Sequence, residues 1–136
     1  MAGPLDPLVN RTMNLSLATM AAGTASSRAI WKPSTPGQIV AGWLSDDVGL
    51  AAGTTIFSTV ALVNLTNANA TMISIANSAG SPITVDTMNA MTLSTTVANT
   101  KFNAGDVIAL SKTDSGGGVA ITNACLQIDW IPGTYS

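Results

Sequence analysis

The side chains of this sequence that could carry acid–base chemistry are aspartates and one cysteine, because the chain has no histidine. Histidine is the commonest general base near neutral pH, so Ser-His-Asp and Cys-His arrangements are excluded. A pair of aspartates could still hydrolyse a glycoside, but most of them lie at turns, where aspartate is favoured because it hydrogen-bonds the backbone. Beyond the N-terminal segment they are Asp46, Asp47, Asp86, Asp106, Asp114 and Asp129. We therefore predict that the protein is not an enzyme, and we assign no catalytic residue.

Patterns that would bind a metal or a cofactor are equally weak. One cysteine without histidine does not make a zinc site, and the lone Cys125 is favoured as a small inert side chain in a strand. Calcium could bind at Asp46-Asp47 or at Asp114 with loop carbonyls, but no EF-hand loop is present and solvated turns are favoured. The run 116–118, Gly-Gly-Gly, lacks the following Lys-Ser/Thr of a phosphate-binding loop. No metal and no cofactor are predicted.

Three tryptophans could form a stacking platform for sugar rings, since aromatic faces bind carbohydrate. Trp31, Trp43 and Trp130 each lie in an expected strand and alternate with small or polar neighbours. That setting favours a tryptophan in the core or in an interface over one in a sugar-binding groove.

The composition favours a protein that packs against others. The 136 residues are 46% apolar and only 9% charged, against about 25% charged residues in ordinary soluble domains. Removing water from a surface of Thr, Ser, Asn and Ala costs little free energy, so we favour an assembly protein over a free extracellular sandwich. A net charge of −2 with five scattered cations argues against nucleic acid. No signal peptide is evident at the start and no apolar run is long enough to cross a membrane, so a soluble protein without a membrane partner is expected.

Alternating apolar residues predict strands along most of the chain. In 107–111, Ile108 and Leu110 share a face, and in 121–131 a face is shared by Ala124, Leu126, Ile128 and Trp130. The glycine loop between these two segments predicts an antiparallel hairpin. Further strands are expected at 29–32, at 38–44 with Ile39, Ala41 and Trp43 on one face, and at 55–66, 71–77 and 83–85. The region 86–99 fits either a short helix or a strand. The fold class predicted is all-β: a jelly-roll-like antiparallel β-sandwich of about seven or eight short strands.

Two segments bear on assembly. Residues 1–27 are predicted to be an extended N-terminal arm, with one possible short strand around 14–19, and residues 28–136 to be the β-sandwich domain. The segment 55–66 places Val60 and Leu62 on one face, and Phe57, Ala61, Val63 and Leu65 on the other. A strand that is apolar on both faces is central or is covered by a partner, which favours a homo-oligomer.

The segments A-I-W-K-P-S-T-P-G-Q-I (29–39), F-N-A-G-D-V-I-A-L (102–110) and L-Q-I-D-W (126–130) together resemble the small jelly-roll decoration (cement) proteins of tailed bacteriophage heads. The resemblance covers roughly residues 28–132. It implies a structural virion protein, commonly a homotrimer, that binds the major capsid protein on the outer surface of the capsid and stabilises the head. The N-terminal arm would then be a tether. The alternative is a carbohydrate- or receptor-binding sandwich module of a phage fibre or secreted protein, which predicts an exposed tryptophan in a shallow groove.

Overall fold

The computed structural model describes residues 10–133, and in that part of the chain the secondary structure is ten strands and one 3₁₀ turn. Three of the strands are only two residues long. The strands are β1 (Arg11–Ser16), β2 (Ser26–Trp31), β3 (Gly37–Ser45), β4 (Phe57–Asn64), β5 (Ala70–Ala76), β6 (Asn89–Ala90), β7 (Thr92–Leu93), β8 (Lys101–Phe102), β9 (Ile108–Ser115) and β10 (Cys125–Pro132), and the 3₁₀ turn is Val97–Thr100.

The strands form two five-stranded antiparallel sheets packed face to face. The first sheet has the order β1-β10-β3-β6, with β8 also paired to β3, and the second has the order β2-β9-β4-β5-β7. The predicted all-β sandwich is therefore confirmed. Strands that follow one another in the chain often lie in different sheets, so the loops at the two ends of the sandwich carry the chain from one layer to the other.

The core is the set of inward-facing apolar side chains of both sheets. Val60 and Leu62 of β4 and Leu126 and Ile128 of β10 have no solvent exposure, as their predicted alternation requires. Gly42 of β3 also faces inward, where an added Cβ would lie 2.8 Å from side-chain atoms of Ile128 and of Ile73 in the opposite sheet. Close approach of the two layers therefore requires glycine at this position.

The predicted hairpin between the last two long strands is wrong. Their inward faces are as expected, but β9 pairs with β2 and β4 in the second sheet, whereas β10 pairs with β1 and β3 in the first. The connection 116–124 crosses between the sheets, and buried Ile121 exchanges two backbone hydrogen bonds with Met20 on the way. A period-two pattern reports which face of a strand is buried, and it does not report which strand is its neighbour.

The predicted boundary between an arm at 1–27 and a sandwich at 28–136 needs a correction. β1 pairs along its whole length with β10, and Leu17 is only 5% exposed and belongs to the core. Residues 11–17 are therefore part of the sandwich, and so is the first half of β2. Residues 1–9 of the predicted arm lie outside the described residues.

Residues 83–99 lie along one edge of the sandwich, where β6 and β7 are the last strands of the two sheets. Residues 83–85 form no strand, although Ile83 makes an isolated antiparallel bridge with Leu50. The region 86–99, for which the sequence allowed a helix or a strand, contains β6, buried Met91 and then β7. The chain therefore passes from the first sheet to the second within five residues. The 3₁₀ turn follows. The region therefore contains two short strands and a helical turn, whereas the sequence predicted either a strand or a helix.

Candidate interaction surfaces

The predicted carboxylates are not brought together into a site. Within residues 10–133 there is no group of three or more Cys, His, Asp or Glu side chains that could hold a metal ion. The buried Asp46 instead accepts hydrogen bonds from the backbone N–H groups of Val48, Gly49 and Thr122, at 2.8–2.9 Å. Both of its carboxylate oxygens are thereby occupied, which leaves this proposed calcium ligand committed to the β3–β4 loop.

Asp106 fastens the opposite end of the sandwich in the same way. Its Oδ2 accepts from the Asn103 backbone at 2.9 Å and from Nδ2 of the fully buried Asn64 at 2.8 Å. Gly105, immediately before it, has φ = +85°, a backbone conformation that glycine adopts without steric cost in a tight turn. This corner joins the turn after β8 to the end of β4, so Asp106 has a structural role.

One ionic cluster is buried that the sequence analysis did not identify. Lys112 of β9 has no solvent exposure, and its ammonium group lies 2.5 Å from Oδ1 of Asp114 and donates to the carbonyl of Ala21 at 3.1 Å. The hydroxyl of Ser58 donates to the same Asp114 oxygen at 2.6 Å and accepts from the Val119 backbone at 2.8 Å. The cluster ties β9 and β4 to the two loops that cross between the sheets.

This cluster is arranged for structure and not for nucleophilic chemistry. The hydrogen bond from Lys112, followed by that from Ser58, holds the pKa of Asp114 below the usual value for an aspartate. The carboxylate therefore stays ionised opposite the ammonium group and is a poor proton acceptor for Ser58 at neutral pH. Ser58 is 1% exposed and Lys112 is fully buried, so a substrate has no route to either group.

Trp43 lies on the outer face of the first sheet, contrary to the expectation that it shares a face with Ile39. The cross-strand partners jump from Ala41 opposite Asp129 to Ile39 opposite Trp130, which leaves Val40 as the extra residue of a β-bulge. The bulge turns Ile39 inward, whereas Trp43 faces outward with Gln127 opposite it on β10 and Ala90 opposite it on β6. Trp43 is partly exposed.

The other two tryptophans pack as predicted against the core. Trp31, Phe102 and Trp130 form a cluster with ring centroids 4.9–5.5 Å apart, and Phe102 is only 2% exposed. The guanidinium of Arg11 lies 5.7 Å from the centre of the Trp130 ring. Because Trp31 belongs to the second sheet and Trp130 to the first, this aromatic cluster closes one end of the sandwich.

The outer face of the second sheet carries no charged side chain and, apart from the partly buried Phe57, is made of small side chains. The only charged residues in its strands are Arg28, Lys112 and Asp114, and the pairing register places all three on the inward side. On the outward side the register places Ser27, Ala29, Phe57, Thr59, Ala61, Val63, Thr71, Ser74, Ala76, Thr92, Ala109, Ser111, Thr113 and Ser115. The strand predicted to be apolar on both faces, β4, lies in this sheet next to β9 and β5, with Ala61 and Val63 outward.

Comparisons with models of protein families, with curated proteins and with solved structures find no match to this chain. Among the described residues, no helix has the length and apolar character that crossing a membrane would require.

Proposed function

We propose that this protein is a structural component of a virion, a decoration (cement) protein that binds the outer surface of a phage head as a homotrimer and stabilises it. The observation that supports this most is the outer face of the second sheet. That sheet directs its charged side chains inward and, apart from Phe57, presents Ser, Thr, Ala and Val outward. Such a face loses little hydration when another protein surface covers it, which suits a permanent interface.

The strand order supports the finer description of the fold as a jelly roll. In a jelly roll, eight strands form two Greek keys over two packed sheets. Here β1, β10, β3 and β6 form one four-stranded group and β2, β9, β4 and β5 the other, and along these eight strands the chain changes group at every step except from β4 to β5. The resemblance of the sequence to decoration proteins implies this same class of fold.

The proposed mechanism is additive and needs no catalytic residue. Each copy contributes a modest contact to the major capsid protein, and a trimer attaches at several points at once. Linked contacts raise the apparent affinity far above that of one contact, because the later ones form at high effective concentration. Many such trimers on one particle would oppose rupture of the shell.

Sedimentation with phage heads that lack the protein tests the proposal. The full chain is mixed with such heads and the bound fraction is measured against particle concentration. Saturable binding at a fixed number of copies per head supports a decoration role, and absence of binding at micromolar protein contradicts it. A variant that tests residues 1–9 as the tether must end its deletion there, because removing residues 1–27 would also remove β1 and Leu17.

A second function, a carbohydrate-binding module, is favoured by the position of Trp43. Its ring lies partly exposed on a sheet face, with the carboxamide of Gln127 across from it and small Ala90 on the other side. An aromatic ring beside a hydrogen-bonding side chain is the chemistry that binds a sugar ring. Tryptophan fluorescence is measured while glycans are titrated into the protein and into a Trp43→Phe variant. A saturable change that the variant lacks supports this function, and no change with any glycan excludes it.

A further inference from the structure

A cavity of about 280 Å³ lies where the chain crosses from β1 to β2. Its apolar floor is formed by Leu17 and Leu110, both only 5% exposed, together with Met20. The hydroxyl-bearing Thr24 and Ser26 stand at its walls. Its volume lies below the roughly 300–1,000 Å³ of pockets that hold drug-sized ligands. It is therefore suited to one apolar side chain and not to a whole cofactor.

Arg28 gives this cavity a charge preference. It lines the cavity from β2, where it lies directly opposite Leu110 of β9. Its guanidinium makes no ion pair and no side-chain hydrogen bond with any residue in the part of the chain that the structure describes. An unpaired guanidinium beside an apolar cavity is complementary to a carboxylate that accompanies an apolar group, because arginine binds carboxylates with two parallel hydrogen bonds.

The strand that carries Arg28 also has a free edge. β2 is the first strand of the second sheet and pairs only with β9 among the described strands. Four of its six residues are exposed. The unpaired backbone groups of an edge strand can bind an additional extended strand, with side-chain pockets beside the edge providing the specificity.

We propose that β2 is a docking edge for an extended segment of a partner protein, which adds to the second sheet as a sixth strand. The segment inserts one apolar side chain into the cavity and places a carboxylate against Arg28. Side chains on one face of a strand are two residues apart. The recognised pattern is therefore an apolar residue and an acidic residue separated by one position. This proposal holds independently of the capsid role, because it rests only on the cavity, on Arg28 and on the free edge.

The test is an NMR titration of the full chain with a synthetic peptide, acetyl-Thr-Val-Thr-Leu-Thr-Asp-Thr-amide. The amide signals that shift should be confined to β2 and to residues 17–24. Replacing the peptide's Asp by Asn, or the protein's Arg28 by Gln, should weaken binding about tenfold, as expected for losing a charge-assisted hydrogen bond. Replacing the peptide's Leu by Ser should weaken it at least as much. Lys32→Gln, which changes an exposed cation outside the cavity, is the matched control and should leave binding unchanged.

Two results would overturn the proposal. One is the absence of shifts at millimolar peptide. The other is equal binding of the Asp and Asn peptides to the protein and to its Arg28→Gln variant. In either case Arg28 would be an inward-pointing charge that protects the edge strand from pairing, which is a known role of such residues. Neither result would bear on binding to phage heads, which the sedimentation experiment measures separately.

Discussion

The two sheets of the sandwich place their charged side chains in opposite ways. The second sheet buries an ammonium–carboxylate pair, Lys112 with Asp114, and leaves its outer face without charge. The first sheet contributes Phe102 and Trp130 to the aromatic cluster inside and carries Asp129 and Trp43 on its outer face. Burying an ion pair stabilises a fold less well than apolar packing does, because both ions lose their hydration. Burial of this pair leaves the outer face of the second sheet without charge, and an uncharged face is easier to cover with another protein surface.

The largest effect on stability is expected in the aromatic cluster. Phe102→Ala should lower the free energy of unfolding by about 4 kcal/mol, because it removes a fully packed ring that contacts Trp31 and Trp130. Urea unfolding of the purified variant measures this value. A loss below about 1 kcal/mol, the size of an average substitution, would show that the aromatic cluster does not hold this end of the sandwich closed.

The buried ion pair should give the next largest effect. Lys112→Met should cost about 3 kcal/mol, because the carboxylate of Asp114 loses its cation while it stays largely buried. The double variant Lys112→Met/Asp114→Asn removes both charges and should recover at least half of that loss. The same urea unfolding series completes the double-mutant cycle. Losses that simply add would mean that the two side chains are not coupled.

The pH dependence of stability should report the contribution of the ionised Asp114 separately. The hydrogen bonds from Lys112 and Ser58 lower the pKa of Asp114 in the folded protein below the value of 3.8 that is usual for an aspartate. Its stabilising contribution is therefore complete above pH 3.8 and is lost as the pH falls through the lower, folded-state pKa. Between pH 5 and pH 3, the wild type should lose more stability than Asp114→Asn does. Parallel curves from the two proteins in thermal melts would contradict this assignment.

The smallest effect on stability is expected on the outer face of the first sheet. Trp43→Ala should cost about 1 kcal/mol, because the ring is partly exposed and belongs neither to the aromatic cluster nor to the apolar core. Urea unfolding alongside Phe102→Ala provides the comparison. A loss as large as that of Phe102→Ala would mean that Trp43 is a packing residue and would remove the reason to consider it a sugar-binding side chain.

The alternation of apolar residues predicted the all-β fold and the buried face of most strands. It also contained the ion pair: Ile108, Leu110, Lys112 and Asp114 follow one another at a spacing of two, so that the charged pair must face the core if the two apolar residues do. Lys and Asp are seldom buried, so the residue types of Lys112 and Asp114 favour exposure. The spacing of two, which favours burial, is the signal that the structure follows.

Other features were not encoded in a local pattern. The bulge at Val40 reverses the faces of β3 between Ile39 and Trp43, and no single strand shows where its partner omits a residue. The separation of β9 from β10 depends on contacts between Ile121 and Met20, which lie far apart in the chain. The neutral outer face became visible only when the register had placed Ser27, Ser111 and Ala61 in one row. Long-range pairing decided each of these features.

The most direct test of the proposed assembly role is the solution mass of the full chain, measured by light scattering after size exclusion. The chain mass is 13.7 kDa, and a homotrimer should give a species of three times that mass. The double variant Ser27→Glu/Thr113→Glu, which places charge on the neutral outer face of the second sheet, should be monomeric. The matched variant Asn14→Glu/Ser16→Glu, on exposed positions of β1, should remain a trimer. A monomeric wild type, or a trimer that is insensitive to charge on the neutral face, would contradict the proposal that the protein forms a trimer through this face.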